Sequence, residues 1–311
     1  LPENVGYFIG ILDEQGQIAQ MRRIEACEGT TLEIDYDWDV LPEAGMEYVI
    51  LYASPTLFVD ETAQSDELIV YNDRSTTDDS GELTENTLTG LNMPLGIEYS
   101  ELEGLQIWLG QGSDTLTIIS NASGACTEIY GNTGNDRFEF VSTTHNLTLN
   151  GGLGDDIFVF EDNVILDGDI NGDEGLDTID FSRYSTARHA GILCWNEQGY
   201  SGIQSGSTAG PEKAITGGFT GIMRLIGSPA REIDGDKLYG ITSQEGEWIL
   251  DSNNSVLGDN STYRVKDEPV FLNFRNYDFL YGGQKDDSFT MKGGEFGRLF
   301  GGSGNDTFLM L

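Results

Sequence analysis

A short pattern returns six times along this chain: a glycine-rich turn, an aspartate, and a large apolar residue two places on. It reads Leu-Gly-Gln-Gly-Ser-Asp-Thr-Leu at 109–116, Gly-Asn-Thr-Gly-Asn-Asp-Arg-Phe at 131–138 and Gly-Gly-Leu-Gly-Asp-Asp-Ile-Phe at 151–158. It returns as Gly-Asp-Glu-Gly-Leu-Asp-Thr-Ile at 172–179, Gly-Gly-Gln-Lys-Asp-Asp-Ser-Phe at 282–289 and Gly-Gly-Ser-Gly-Asn-Asp-Thr-Phe at 301–308. The glycines permit positive φ and close backbone approach, so the chain can turn sharply and present carbonyl oxygens. The aspartate adds a hard anionic oxygen. The apolar residue that follows (Leu116, Phe138, Phe158, Ile179, Phe289, Phe308) is placed to point inward on a short strand.

The spacing of the aspartates constrains the architecture. Asp114, Asp136, Asp156 and Asp177 lie 22, 20 and 21 residues apart, and Asp287 and Asp306 lie 19 apart. A period of about twenty residues fits one circuit of two strands and two turns, and is too short for a propeller blade of roughly forty. The expected fold is all-β: a parallel β-roll or β-solenoid, its like residues stacked about 4.8 Å apart. The opposite turns, such as Asn121-Ala122-Ser123-Gly124 and Ser142-Thr143-Thr144-His145, lack the glycine–aspartate pattern. Any cations are therefore expected along one edge only.

These residues match the G-G-x-G-x-D-x-U-x repeat, and the chain resembles the RTX-like (hemolysin-type) calcium-binding repeat proteins. The resemblance implies Ca2+ at turns built from Gly110, Gly112, Asp114, Gly134, Asp136, Gly152, Gly154, Asp155, Asp156, Asp173, Gly175, Asp177, Asp286, Asp287, Gly304 and Asp306. Electrostatics points the same way, because two carboxylates about 5 Å apart repel by roughly 1–3 kcal/mol. The whole chain carries 16 basic against 53 acidic residues, a net charge of −37. Divalent cations would relieve both, so calcium-coupled ordering is expected. Against this stands a metal-free alternative in which Asp and Asn merely satisfy turn amides. Lys285, in a glycine position, and Asn132 and Thr133 interrupt their copies.

A second resemblance covers roughly 66–311. The segments Leu68-Ile69-Val70-Tyr71-Asn72-Asp73, Leu105-Gln106-Ile107-Trp108-Leu109-Gly110, Asp177-Thr178-Ile179-Asp180-Phe181-Ser182 and Gly217-Gly218-Phe219-Thr220-Gly221-Ile222 look like repeated segments of very large secreted surface proteins of bacteria and algae. That implies an extended extracellular protein. The pattern departs at Ser228-Pro229, where a motif turn would be expected.

Four stretches are expected. Residues 1–65 lack the motif and alternate apolar with polar around Tyr7-Phe8-Ile9, Thr31-Leu32-Glu33-Ile34 and Tyr48-Val49-Ile50-Leu51, which suggests a small antiparallel β unit, sandwich- or barrel-like. Residues 66–181 form the regular repeat, 182–279 irregular rungs, and 280–311 the final calcium-type rungs with an open end. Phe308-Leu309-Met310-Leu311 is an apolar strand without a polar cap. It is expected to meet more of its own polypeptide or the next subunit.

Cys27, Cys126 and Cys194 make an odd number; Cys126 could pair with Cys194, leaving Cys27 for another chain, or all three could be buried thiols. Sequons at Asn121, Asn146, Asn253 and Asn260 sit on plausible turns for glycans, whereas Asn305 lies inside a motif turn. The two histidines, His145 and His189, fit no zinc or triad pattern, and no phosphate-binding glycine loop appears, so no enzyme is expected. The acidity argues against nucleic acid, and no run of apolar residues is long enough to span a bilayer. The expected function is an extracellular structural module, a calcium-stabilised subunit or segment of a fibre or surface layer that assembles end to end. The alternative is a calcium-dependent adhesin that binds glycans or a neighbouring cell, with aromatics such as Trp38, Trp195 and Trp248 stacking on sugar rings; an acidic-polysaccharide enzyme on a β-helix ranks behind both.

Overall fold

The computed structural model describes residues 6–13, 15–28, 31–35, 37–43, 45–53, 65–206, 213–229, 235–251, 261–292 and 297–311. Every regular element among them is a β-strand. No helix among them is long and apolar enough to cross a membrane. The chain divides into two compact units, Leu1–Ser65 and Asp66–Leu311.

The first unit holds β1 (Gly6–Leu12), β2 (Ile18–Glu28), β3 (Thr31–Ile34) and β4 (Tyr48–Ala53). They form one antiparallel sheet in the order β3-β2-β1-β4. It is the one sheet of this unit among the described residues. Ile11 and Ile24 are its buried aliphatic side chains.

The second unit begins with β5 (Glu67–Tyr71), β6 (Ser80–Leu83), β7 (Thr87–Gly90) and β8 (Met93–Glu98). It continues with β9 (Gly104–Trp108), β10 (Thr115–Ile118), β11 (Cys126–Tyr130) and β12 (Arg137–Phe140). Then come β13 (Leu147–Leu153), β14 (Ile157–Phe160), β15 (Gly168–Glu174) and β16 (Thr178–Asp180). From β9 to β16 the strands alternate between an 11-stranded and a 13-stranded sheet. Within each sheet every second strand pairs in parallel: β9 with β11, β13 and β15 in turn, and β10 with β12, β14 and β16. Each motif turn leads out of the 11-stranded sheet and into the 13-stranded one.

The period of two along a strand turns alternate residues inward and stacks them in apolar columns inside each sheet. Leu116, Phe138, Phe158 and Ile179 stand in register and are fully buried, as are Ile107, Ile129 and Leu149 opposite, with Ile170 next in that column. Burying each such side chain contributes about 1.5–3 kcal/mol. The rings of Phe138 and Phe158 stack 5.4 Å apart, and those of Phe140 and Phe160 4.6 Å apart. Stacking adds about 0.5–1.5 kcal/mol per pair and favours keeping an aromatic in the same place from repeat to repeat.

Beyond β16 the parallel ladder persists but is interrupted. Gly218–Ile222 and Arg224–Ile226 pair in parallel with β15 and β16, and Leu272–Arg275 pairs in parallel with Arg224–Ile226. Antiparallel hairpins, Arg188–Asn196 with Gly199–Gly206 and Gly246–Asp251 with Ser261–Val265, are set into the two sheets. Regular pairing resumes where Gly246–Asp251, Ser288–Lys292 and Thr307–Met310 lie parallel in sequence. Phe308 stacks on Phe289 at 5.0 Å yet is 48% exposed, against the inward position expected for it. Its strand ends the order of the 13-stranded sheet, with a neighbour on one side only.

Candidate cation-binding turns

The aspartate of each motif is the last residue before a strand of the 13-stranded sheet, and it points inward. Asp114, Asp136, Asp156 and Asp177 are at most 1% exposed. Their carboxylates are linked through the backbone in one direction. The amide of Asp79 donates to Oδ1 of Asp114 (2.7 Å), that of Asp114 to Asp136 (2.8 Å), that of Asp136 to Asp156 (2.7 Å), and that of Asp156 to Asp177 (2.9 Å). Each carboxylate thereby satisfies an amide that would otherwise be buried without an acceptor.

The residue before each aspartate forms a second ladder of the opposite sense. Ser113 N–H donates to Asp78 Oδ1 (2.8 Å), Asn135 N–H to Ser113 Oγ (3.1 Å), Asp155 N–H to Asn135 Oδ1 (2.8 Å), and Leu176 N–H to Asp155 Oδ1 (2.9 Å). Asp, Ser and Asn alternate here, so the position asks for an acceptor and not for a charge. Asp155 is exposed in this role, as is Asp286, which accepts from Asn305 N–H at 2.8 Å. Asp173 turns its carboxylate to Asn171 Nδ2 at 2.7 Å. One oxygen of each of Asp155, Asp173 and Asp286 thus holds a turn together.

The glycines make room for carbonyls. Gly154 has φ +128°, and a Cβ there would stand 1.9 Å from the carbonyl oxygen of Gly134. Gly134 and Gly175 sit in the same column, and Gly112, Gly152 and Gly304 also abut backbone of a neighbouring turn.

Three of the motif carboxylates are left with an oxygen that nothing satisfies. Oδ2 of Asp136, Asp156 and Asp177 is buried without a hydrogen-bond partner. A Cβ on Gly131 would lie 2.5 Å from Asp136 Oδ2 and 2.1 Å from the carbonyl of Gly151. On Gly151 it would lie 2.3 Å from Asp156 Oδ2 and 2.8 Å from the carbonyl of Gly172; on Gly172, 2.6 Å from Asp177 Oδ2 and 2.5 Å from the carbonyl of Gly221. Beside each glycine, then, an unpaired carboxylate oxygen and a carbonyl of the adjacent turn crowd together. A buried carboxylate oxygen without a donor, set beside another acceptor, requires a proton or a cation. Burial pushes the carboxyls of Asp136, Asp156 and Asp177 up to about 8, about 7 and about 8. Neighbouring aspartates add to the rise. An oxygen-only set of carboxylate and carbonyls fits Ca2+. Among the described residues no three His, Cys, Asp or Glu side chains converge on one point, so such a set depends on backbone oxygens.

The ends of the series differ. Asp114 Oδ2 receives the amide of Gly110 (2.8 Å), and Asp287 Oδ2 receives that of Gly283 (2.6 Å). Asp306 is half-buried and accepts from the amide of Asp287 at 2.9 Å. Before Asp114 comes Asp79, which sequence reading missed because no glycine turn precedes it and Gly81 stands where the apolar residue is expected. Its carboxylate collects four neutral donors: Asn72 Nδ2 (2.9 Å), Ser75 Oγ (2.6 Å), Thr77 Oγ1 (2.9 Å) and Asn92 Nδ2 (2.7 Å). The Ser75 hydroxyl above all, with the other three, holds its carboxyl below the ordinary range. Protein groups do at Asp79 what a cation would do further along.

Other expectations are revised. Cys27, Cys126 and Cys194 are all free and exposed, so neither the Cys126–Cys194 disulfide nor the buried thiols are found. Asn121 is buried, its amide donating to Thr127 Oγ1 (2.9 Å) and the His145 carbonyl (2.6 Å), which leaves it no place for a glycan. Asn146 is exposed; Asn253 and Asn260 lie outside the described residues. Trp248 is 1% exposed, and Trp38 lies under the Arg22 guanidinium. The aromatics on the outer face of the 11-stranded sheet stack on each other: Trp108 on Tyr130 at 4.0 Å and Tyr281 on Tyr239 and Phe300, each at 4.5 Å.

Compared with protein-family models, with curated proteins and with solved structures, the chain matches none.

Proposed function

We propose that this chain is an extracellular structural module: a calcium-stabilised β-solenoid that forms a subunit or segment of a fibre or surface layer, joined end to end. The observation that carries the reading is the run of three successive buried carboxylates, Asp136, Asp156 and Asp177, each with one unpaired oxygen beside a carbonyl of the adjacent turn. Bound Ca2+ would supply positive charge at those oxygens. The rest is done by the chain. Oδ1 of each aspartate fixes the carboxylate by accepting the preceding aspartate's amide, and the glycines let the carbonyls approach. The alternation of parallel strands between two sheets, with stacked Phe columns, supports a coil that is stiff along its length. The outermost strands, Thr307–Met310 and Arg298–Phe300, offer edges on which more of the polypeptide or another copy would pair.

Chelator-treated protein titrated with calcium, followed by circular dichroism and sedimentation together, tests this. The reading expects a gain of β structure or thermal stability and growth into elongated particles. A protein that is folded, monomeric and indifferent to calcium would sink it.

A further inference from the structure

The motif turns all lead from the 11-stranded sheet to the 13-stranded one. Gly227, just after Arg224–Ile226 of the 13-stranded sheet, and Asp236, just before Lys237–Tyr239 of the 11-stranded one, lie at the opposite edge of the two sheets. Asp236 is fully buried. Its Oδ1 accepts from the amide of Arg188 and from the hydroxyl of Ser228 (3.2 Å), and the Ser228 amide also bonds the carboxylate. Its Oδ2 has no hydrogen-bond partner. A Cβ on Gly227 would stand 2.6 Å from that Oδ2 and 2.6 Å from the carbonyl oxygen of Asn276, which belongs to the adjacent turn on the same edge. The amide of Asp236 in turn donates to Oδ2 of Asp278 at 3.1 Å.

This is the arrangement found at Gly131, Asp136 and Gly151: a glycine, a buried carboxylate with one unpaired oxygen, and the carbonyl of the next turn. Nothing in the linear pattern announces it. Gly227 precedes Asp236 by nine positions (236 − 227), where Gly131 precedes Asp136 by five (136 − 131).

We propose that Asp236, with the Asn276 carbonyl, forms a further site for a hard divalent cation such as Ca2+, on the edge that the motif leaves bare. The proposal rests on the same reading of unpaired carboxylate oxygens as the proposed function. Its rival is a permanently protonated Asp236 whose O–H donates to the Asn276 carbonyl. The two differ in what asparagine does, since an amide reproduces the protonated acid and cannot replace a ligand carboxylate.

The test counts calcium bound to the full chain by equilibrium dialysis, with circular dichroism as the check on folding. Asp236→Asn is expected to bind one ion fewer than the wild type. The combined Asp136→Asn, Asp156→Asn and Asp177→Asn variant is expected to keep an ion that adding Asp236→Asn removes. Gly227→Ala, which fills the space beside Oδ2, is expected to lose the same ion, and it decides the matter if Asp236→Asn fails to fold. An unchanged count in Asp236→Asn, with the wild type binding calcium, overturns this inference alone; a wild type that binds none overturns it together with the proposed function.

Discussion

The backbone amide of Asp136 donates to Oδ1 of Asp156, 2.7 Å away and one turn further along the chain. The two oxygens of Asp156 therefore differ: Oδ1 is a structural acceptor, and Oδ2 is buried without a hydrogen-bond partner. Substitution separates them. Asp156→Asn keeps the acceptor and puts a donor beside the Gly172 carbonyl, so in chelator its urea midpoint should equal or exceed the wild type's, while the calcium-induced rise shrinks. Asp156→Ala strands the Asp136 amide and should cost about 1–3 kcal/mol with or without calcium. An asparagine variant as damaged as the alanine one would show that the charge itself holds the metal-free fold.

The stability of metal-free protein should depend on pH in an unusual direction. Burial, with the neighbouring carboxylates, raises Asp136, Asp156 and Asp177 to about 8, about 7 and about 8, above the unfolded value near 3.9. The folded state then holds protons that the unfolded chain has released, so stability falls as pH rises from about 4 to about 8. Melting in chelator at pH 5 and pH 8 should show the higher midpoint at pH 5. Saturating calcium should reverse or flatten the trend, because ligand bound only by the folded state stabilises it by mass action. A midpoint in chelator that climbs over this range would contradict the burial of unpaired carboxylates.

Asp79 should behave as a site already filled. Asn92→Ala removes one of its four neutral donors, the one reaching Oδ1 at 2.7 Å. A loss of about 1–2 kcal/mol is expected, of the same size in chelator and in calcium. Urea denaturation in both conditions checks it, and a loss confined to one condition would tie Asp79 to cation binding.

Gly154 is a position where a methyl group has no room. Gly154→Ala combines a left-handed φ of +128° with a Cβ 1.9 Å from the Gly134 carbonyl. The strain alone costs about 1–2 kcal/mol. The clash adds to it and pushes neighbouring turns apart, so both the midpoint and the calcium response should fall. Calcium titration monitored by circular dichroism would show whether the turns on either side lose binding together.

The exposure of Cys27, Cys126 and Cys194 gives a simple check on the strand faces. A chromogenic disulfide reagent should titrate three thiols in native, unreduced protein, as fast as after denaturation. One thiol or none would indicate pairing, or a different register for the strands that carry Cys126 and Cys194.

Much of this architecture is legible in the linear chain because its causes are local. The period of about twenty, the aspartate before Leu116, Phe138, Phe158 and Ile179, and the absence of helical periodicity follow from neighbouring residues alone, and the all-β fold with in-register parallel strands agrees with them. The alternation at Tyr7-Phe8-Ile9 and Tyr48-Val49-Ile50 likewise marks strands that pair antiparallel in the first unit. What these patterns do not carry is the state of each carboxylate. Asp155 and Asp156 are adjacent and chemically identical, yet one is an exposed clasp and the other a buried ligand candidate, since successive side chains leave the backbone on opposite sides. Asp79 and Asp136 occupy equivalent places in the ladder, but Asp79 is saturated by Asn92, thirteen residues away, and three nearer donors.

The amino-acid sequence by itself therefore determined that the chain turns at glycine and aspartate, returns at a period of about twenty and turns apolar side chains inward at alternate strand positions. The tertiary structure alone decided which aspartates lack a partner and where Gly227 meets Asp236 and Asn276. The physical reason is that a buried carboxylate is satisfied or orphaned by the turn stacked on it, and that turn lies twenty to fifty residues away (Asp136 to Asp156, Gly227 to Asn276).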